Sequence, residues 1–103
     1  MKINIGDRLR SQVDATELIV VRATPDDVDL RCGGAELIEL GQEPADDPDL
    51  APVPTAPPAK LGKRYTDPSG TLELLVTKTG SGVLTLDGQP LTERGAKRLP
   101  ASD

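Results

Sequence analysis

Residues 70–91, GTLELLVTKTGSGVLTLDGQPL, are the stretch from which we predict the fold. Two apolar runs, at 72–77 and 83–86, lie on either side of a glycine-rich turn at 79–82. Asp87-Gly88 is a second reversal, of the two-residue hairpin type. Alternate residues of the first run, starting at its first leucine, share one face of an extended strand. The stretch therefore predicts an antiparallel β-meander.

The first half of the chain contains a second set of apolar runs. Residues 16–23, TELIVVRA, are rich in β-branched side chains and apolar on both faces, which predicts a central or covered strand. Residues 28–32 alternate strictly, and we expect them to pair with 16–23 as an antiparallel hairpin across a turn at Pro25. No repeat is expected to relate the two halves of the chain.

Residues 44–59, PADDPDLAPVPTAPPA, hold six of the ten prolines and offer little to bury. This composition is typical of an extended, semi-rigid linker. The sequence as a whole therefore predicts an all-β protein with two small antiparallel units, residues 1–43 and 60–103, joined by this Pro-rich linker.

The composition limits the core and the class of partner. Leu, Ile and Val number 25, whereas Tyr65 is the only aromatic residue, so the core must be aliphatic and small. The formal charge of −5 is unevenly placed, with −4 in residues 1–43, −3 in the linker and +2 in residues 60–103. An acidic chain with almost no aromatic side chains is not expected to bind nucleic acid.

The residue types that are missing restrict the chemistry further. The chain has no histidine, so it contains neither a Ser-His or Cys-His pair nor a histidine metal site. A single cysteine, no apolar leader and no long apolar run indicate a cytoplasmic protein without a membrane segment. We expect no catalytic residues, metal or cofactor.

Cys32-Gly33-Gly34 stands where a strand ends in a tight turn, and Ser11 and Asp14 lie upstream with the spacing of a first ligand pair. Residues 9–38 thereby resemble a rubredoxin-like zinc ribbon. Since Ala35 replaces the last ligand and only one thiol remains, the resemblance implies a degenerate, metal-free ribbon. Two other interpretations of Cys32 stay open: a small buried apolar residue at a strand end, or a reactive thiol whose pKa the adjacent arginine lowers.

Six basic residues flank the predicted meander. They form either an anion-binding patch or a solvated face, and they are Lys60, Lys63, Arg64, Arg94, Lys97 and Arg98.

These observations favour a non-catalytic binding or accessory protein, in a composition typical of GC-rich bacterial genomes. It would act on another protein or on a second copy of itself, through sheet edges or the linker. The alternative is a small-molecule or anion-binding accessory subunit of a metabolic enzyme, which would use the basic residues around the meander.

Overall fold

The computed structural model describes residues 1–94, and every regular element in this range is a β-strand. The all-β prediction is therefore confirmed. The ten strands are β1 (Arg8–Arg10), β2 (Glu17–Arg22), β3 (Leu30–Cys32), β4 (Ala35–Glu36), β5 (Ile38–Glu39), β6 (Arg64–Thr66), β7 (Glu73–Lys78), β8 (Leu84–Leu86), β9 (Gln89–Pro90) and β10 (Thr92–Glu93).

The strands form two antiparallel sheets. The larger sheet has the order β10-β6-β7-β2-β1-β5, and the smaller has the order β4-β3-β8-β9. Strand β2 lies between β7 and β1, as its apolar residues on both faces predict. Both sheets combine strands from residues 1–43 with strands from residues 60–94, so the two segments share their sheets and do not form separate bodies.

A single aliphatic core lies between the sheets. Its members come from both segments, since Leu18 and Val20 of β2 are buried beside Leu74 and Val76 of β7. Tyr65 joins this core, and its hydroxyl accepts a hydrogen bond of 2.9 Å from the Lys60 N–H. The polar end of the one aromatic side chain thus has a partner, which removes the main cost of burying it.

The expectation that no repeat relates the two halves was wrong. Strands β1–β5 and β6–β10 have the same order and lengths, with an offset of 56 residues in the first two strands and 54 in the last three. Backbone hydrogen bonds recur at equivalent positions: Gly6 N–H donates to the Val20 carbonyl at 2.8 Å, and Gly62 N–H to the Val76 carbonyl at 2.9 Å. The chain is a duplicated five-strand unit.

The two units are related by an approximate two-fold axis. In the larger sheet, the equivalent residues Ile19 and Leu75 pair with each other across β2 and β7. In the smaller sheet, Arg31 and Thr85 do the same across β3 and β8. The axis must pass between two residues that pair with their own equivalents, so it runs between β2 and β7 in the larger sheet and between β3 and β8 in the smaller one.

The predicted hairpin at 79–82 is corrected by the structure. Strand β7 pairs with β2 and β6, whereas β8 pairs with β3 and β9, so residues 79–83 cross from one sheet to the other. Gly82 does not take the positive φ that a hairpin glycine takes. Only glycine fits at this position, because an added Cβ would lie 2.5 Å from Cys32 Sγ. The glycines of this stretch allow close packing.

Two other expected pairings had different outcomes. Residues 28–32 do not pair with β2, because β3 lies in the smaller sheet beside β4 and β8. The hairpin at Asp87-Gly88 is confirmed: it joins β8 to β9, and both residues have positive φ, 51° and 86°. The β8–β9 pairing was predicted correctly because it depends on the residues of one turn. The pairing of β3 depends on contacts between residues that are distant in the sequence.

The Pro-rich segment is fastened along one edge of the smaller sheet. Ala45 N–H donates to Gln12 Oε1 at 2.9 Å, and Ala51 N–H donates to the Gly34 carbonyl at 2.8 Å. Between these bonds, Leu50 forms an isolated bridge with Ala35 of β4. An edge strand that would otherwise expose its backbone is thereby covered. Residues 1–94 contain no helix of the length and hydrophobicity needed to cross a membrane.

Candidate functional site: the outer face of the larger sheet

The outer face of the larger sheet consists of three rows of side chains that run across the strands. Residues paired across neighbouring strands stand side by side on the same face, and the rows that alternate with these three are buried in the core. The central row is Arg64, Leu75, Ile19 and Arg8. The flanking rows are Thr92, Thr66, Glu73 and Arg22, and Lys78, Glu17, Arg10 and Ile38.

This face is basic although the chain is acidic. Its rows and the adjacent Arg94 carry six basic side chains against two carboxylates, which is a formal charge of +4. The rest of the chain therefore has a formal charge of −9. Arg8 and Arg64 stand at the two ends of the central row, about 14 Å apart across three strand spacings. No strand of residues 1–94 covers this face.

The centre of the face is apolar and contains a depression. Ile19 and Leu75 are half-buried at the two-fold axis. Beside them lies a depression of about 280 Å³, lined by Arg8, Glu17, Leu18, Ile19, Leu40 and Thr77. The depression is therefore aliphatic at its base and charged at its rim. Its volume is below the usual range for pockets that enclose a small molecule.

The equivalent position in the second unit holds a cluster of ion pairs. Leu40 and Arg94 are equivalent, since their N–H groups donate to the Arg8 and Arg64 carbonyls at 3.0 and 2.7 Å. Arg94 pairs with Glu73, which also accepts a hydrogen bond of 3.3 Å from Arg64. Glu73 is only 2% exposed. The two equivalent positions therefore differ, since one has a leucine beside the depression and the other an arginine paired with a buried carboxylate.

The predicted anion-binding residues do not converge on a free patch. Arg64 and Arg94 come together, but on the Glu73 carboxylate, and Lys60 lies 3.7 Å from Glu93. Lys63 is exposed in a turn. Lys97 and Arg98 lie outside the described residues. Two of the four described candidates thus share one buried carboxylate, which neutralises part of the charge an anion would need.

Cys32 ends β3, and its side chain is fully buried. Its thiol donates a long hydrogen bond of 3.8 Å to Asp14 Oδ2, and Ser11 Oγ accepts from the Val13 and Asp14 N–H groups. Burial, followed by the Asp14 carboxylate, raises the pKa of the Cys32 thiol to about 11. The thiol therefore keeps its proton at neutral pH, which disfavours the thiolate that a reactive cysteine needs.

Ser11, Asp14 and Cys32 thus form one polar cluster at the turns for which the zinc-ribbon likeness was noted, and that likeness stays a prediction. No group of three or more Cys, Asp or Glu side chains placed to hold a metal occurs within residues 1–94.

The second unit has a different polar turn at the position of Ser11. Burial opposes ionisation of Asp67 there, but hydrogen bonds from the Ser69 hydroxyl, the Leu72 N–H and the Thr71 hydroxyl outweigh it and lower the pKa of the Asp67 carboxyl below 3.8. This carboxylate stabilises a turn.

Comparison with protein-family models, curated proteins and solved structures finds no match for this chain.

Sequence reasoning identified Arg64 and Arg94 but missed Arg8, Ile19 and Leu40. A signal was present, since Arg-Leu-Arg at 8–10 and Glu-Leu-Ile-Val at 17–20 both place alternate residues on a second, uncovered face. What the sequence lacked was the order of strands that puts these residues in one row.

Proposed function

We propose that this protein is a non-catalytic binding module whose outer face docks an acidic protein surface. The observation that carries the proposal is the uncovered row from Arg64 to Arg8, with two aliphatic residues at its centre and an open depression beside them. Protein interfaces combine an apolar, desolvated centre with a charged rim, and arginine is enriched in them.

The depression supports one further detail of the proposal. Its base is formed by Ile19 and Leu40 and its rim by Arg8 and Glu17. A single aliphatic side chain of the partner would bury apolar surface there, while neighbouring carboxylates of the partner would face the arginines. Protein is favoured over nucleic acid as the partner because the face offers aliphatic side chains and no aromatic ring on which a base can stack.

The alternative of an anion-binding accessory subunit has less support. An anion site needs donors that are not already paired, and Arg64 and Arg94 both contact the Glu73 carboxylate. Lys60 lies 3.7 Å from the Glu93 carboxylate, so the described residue of that set without a carboxylate partner is Lys63, which is exposed in a turn. A single solvated lysine gives little affinity.

Site-specific photo-crosslinking in the source cells tests the proposal. A photoreactive amino acid replaces Thr77, which borders the depression, or Asp27, which is exposed in the loop between β2 and β3. We expect a discrete protein adduct from position 77 and none from position 27. The double reversal Arg8→Glu and Arg10→Glu should abolish that adduct.

The matched control carries the same charge change elsewhere. Lys60→Glu and Lys63→Glu reverse two exposed basic side chains that belong to the alternative anion-binding set. The adduct should persist in this control. Equal adducts from positions 77 and 27, or loss of the adduct only in the lysine variant, would contradict docking on the outer face.

A further inference from the structure

The Pro-rich segment presents an acidic, partly apolar surface of its own. Residues 46–50 read Asp-Asp-Pro-Asp-Leu, and the three carboxylates and Leu50 are exposed. Leu50 is 65% exposed, among the highest values for a large apolar residue in the part of the chain that the structure describes. Within residues 1–94, none of the three aspartates forms an ion pair. The segment thus carries net charge and an aliphatic side chain, both facing solvent.

The end of this segment is also held in place beside the smaller sheet. The Leu50–Ala35 bridge and the bond from Ala51 N–H to the Gly34 carbonyl fix its end, and Arg31 donates to the Asp49 carbonyl at 3.1 Å. A Cβ on Gly34 would lie 2.7 Å from the Ala51 carbonyl oxygen, so only glycine allows this close contact. A segment whose end is already fixed loses less conformational entropy on binding than a free one.

From these features we infer that the occupant of the outer face is residues 46–50 of a second copy of this chain. This inference rests on the proposed function of that face and names its partner. Leu50 of one copy enters the depression of the next, and the three aspartates face the arginine-rich rows.

The contact forms between molecules, because the segment is fastened to other parts of its own chain. Leu50 and Ala51 are bonded at the edge of the smaller sheet, which packs against the inner face of the larger one, and Ala45 is bonded to Gln12 in the loop after β1. Reaching its own outer face would break these bonds. The two surfaces in contact are different, so the assembly is head-to-tail and grows into open chains or closes into rings.

Analytical ultracentrifugation of the purified full-length chain tests the inference. At about 20 mM salt we expect the weight-average mass to rise with protein concentration, and at about 500 mM salt we expect a monomer, because screening weakens exposed charge contacts. Asp46→Asn with Asp47→Asn should weaken the association about tenfold, and Leu50→Ser should do the same.

Two matched controls separate this contact from general changes in charge or hydrophobicity. Asp26→Asn with Asp27→Asn removes the same two charges from another exposed acidic pair, and Leu61→Ser removes another aliphatic side chain that is 60% exposed. Both controls should associate like the wild type within about twofold. Controls as weak as the test variants would overturn the inference.

A mixing experiment identifies the head-to-tail geometry. The variant Arg8→Gln with Arg10→Gln weakens the basic surface of the outer face, and Asp46→Asn with Asp47→Asn weakens the acidic surface of the segment. At a protein concentration at which the wild type associates, each weakened variant alone should be mostly monomeric, while an equimolar mixture should form 1:1 dimers that grow no further. A wild type that is monomeric at low salt overturns the inference. If the arginine-dependent adduct at position 77 is still found, the proposed function stands without it.

Discussion

Glu17 and Glu73 occupy equivalent positions in the two units, and we expect their substitution by glutamine to have very different effects on stability. Glu73 is 2% exposed and contacts both Arg64 and Arg94, whereas the Glu17 side chain is 32% exposed and lies 3.8 Å from Lys78. Both residues start the second strand of their unit. Each substitution therefore changes the same chemical group at the same place in the fold.

The difference follows from the number of contacts and their exposure. A hydrogen bond to a charged group contributes about 1.5–3 kcal/mol, and removing one partner of a buried pair leaves the other uncompensated. The arginine side chains are 55% and 51% exposed, so water compensates part of the loss. We expect Glu73→Gln to lower the free energy of unfolding by about 2 kcal/mol. For Glu17→Gln we expect less than about 0.5 kcal/mol, as for other exposed ion pairs.

Urea denaturation followed by far-UV circular dichroism measures both values. In thermal denaturation, Glu73→Gln should lower Tm by roughly 10 °C, since about 1 kcal/mol corresponds to 4–8 °C in a domain of this size. The difference in free energy of unfolding between the two variants should largely persist in added salt, because the Glu73 carboxylate is buried. Equal losses in the two variants would refute the assignment of the Glu73 cluster as a stabilising contact.

Three further predictions concern positions inside the fold. Gly34→Ala and Gly88→Ala both force alanine to positive φ, 89° and 86°, and each should cost about 1–2 kcal/mol. Only Gly34→Ala also displaces Ala51, so it should lower the urea midpoint further and expose residues 49–51 to proteolysis. Between pH 9 and 11 the unfolded chain releases the Cys32 proton while the folded protein keeps it, so the free energy of unfolding should fall with rising pH by about 2–3 kcal/mol. Cys32→Ala should lack this decline. If the wild type and Cys32→Ala showed the same dependence of the free energy of unfolding on pH, the prediction would be wrong. Asp67→Asn should destabilise the protein by about 1–3 kcal/mol at neutral pH. Since the Asp67 pKa is lowered, that stabilisation is lost as the pH falls below 3.8, and the two unfolding curves should converge there.

Local signals predicted the strands well. The β-branched run of β2, the alternation in β7 and the hairpin at Asp87-Gly88 all depend on residues within a few positions of each other. The duplication also left a signal in the chain, for example Glu-Leu-Ile-Val at 17–20 against Glu-Leu-Leu-Val at 73–76. It was missed because most other equivalent residues differ, and a small core accepts many aliphatic combinations.

The sequence by itself determined the all-β class, the aliphatic core, the turn at Asp87-Gly88 and the lack of histidine-based chemistry. Strand order and the site required the tertiary structure. The sequence around Gly80 and Gly82 predicted a hairpin turn. In the structure, glycine is needed at both positions because a Cβ would clash with residues distant in sequence, Asp14 and Cys32. The central row joins Arg8, Ile19, Leu75 and Arg64 from four strands. The strand propensity of individual residues cannot predict such a row, because the row arises from the packing of two units about one axis.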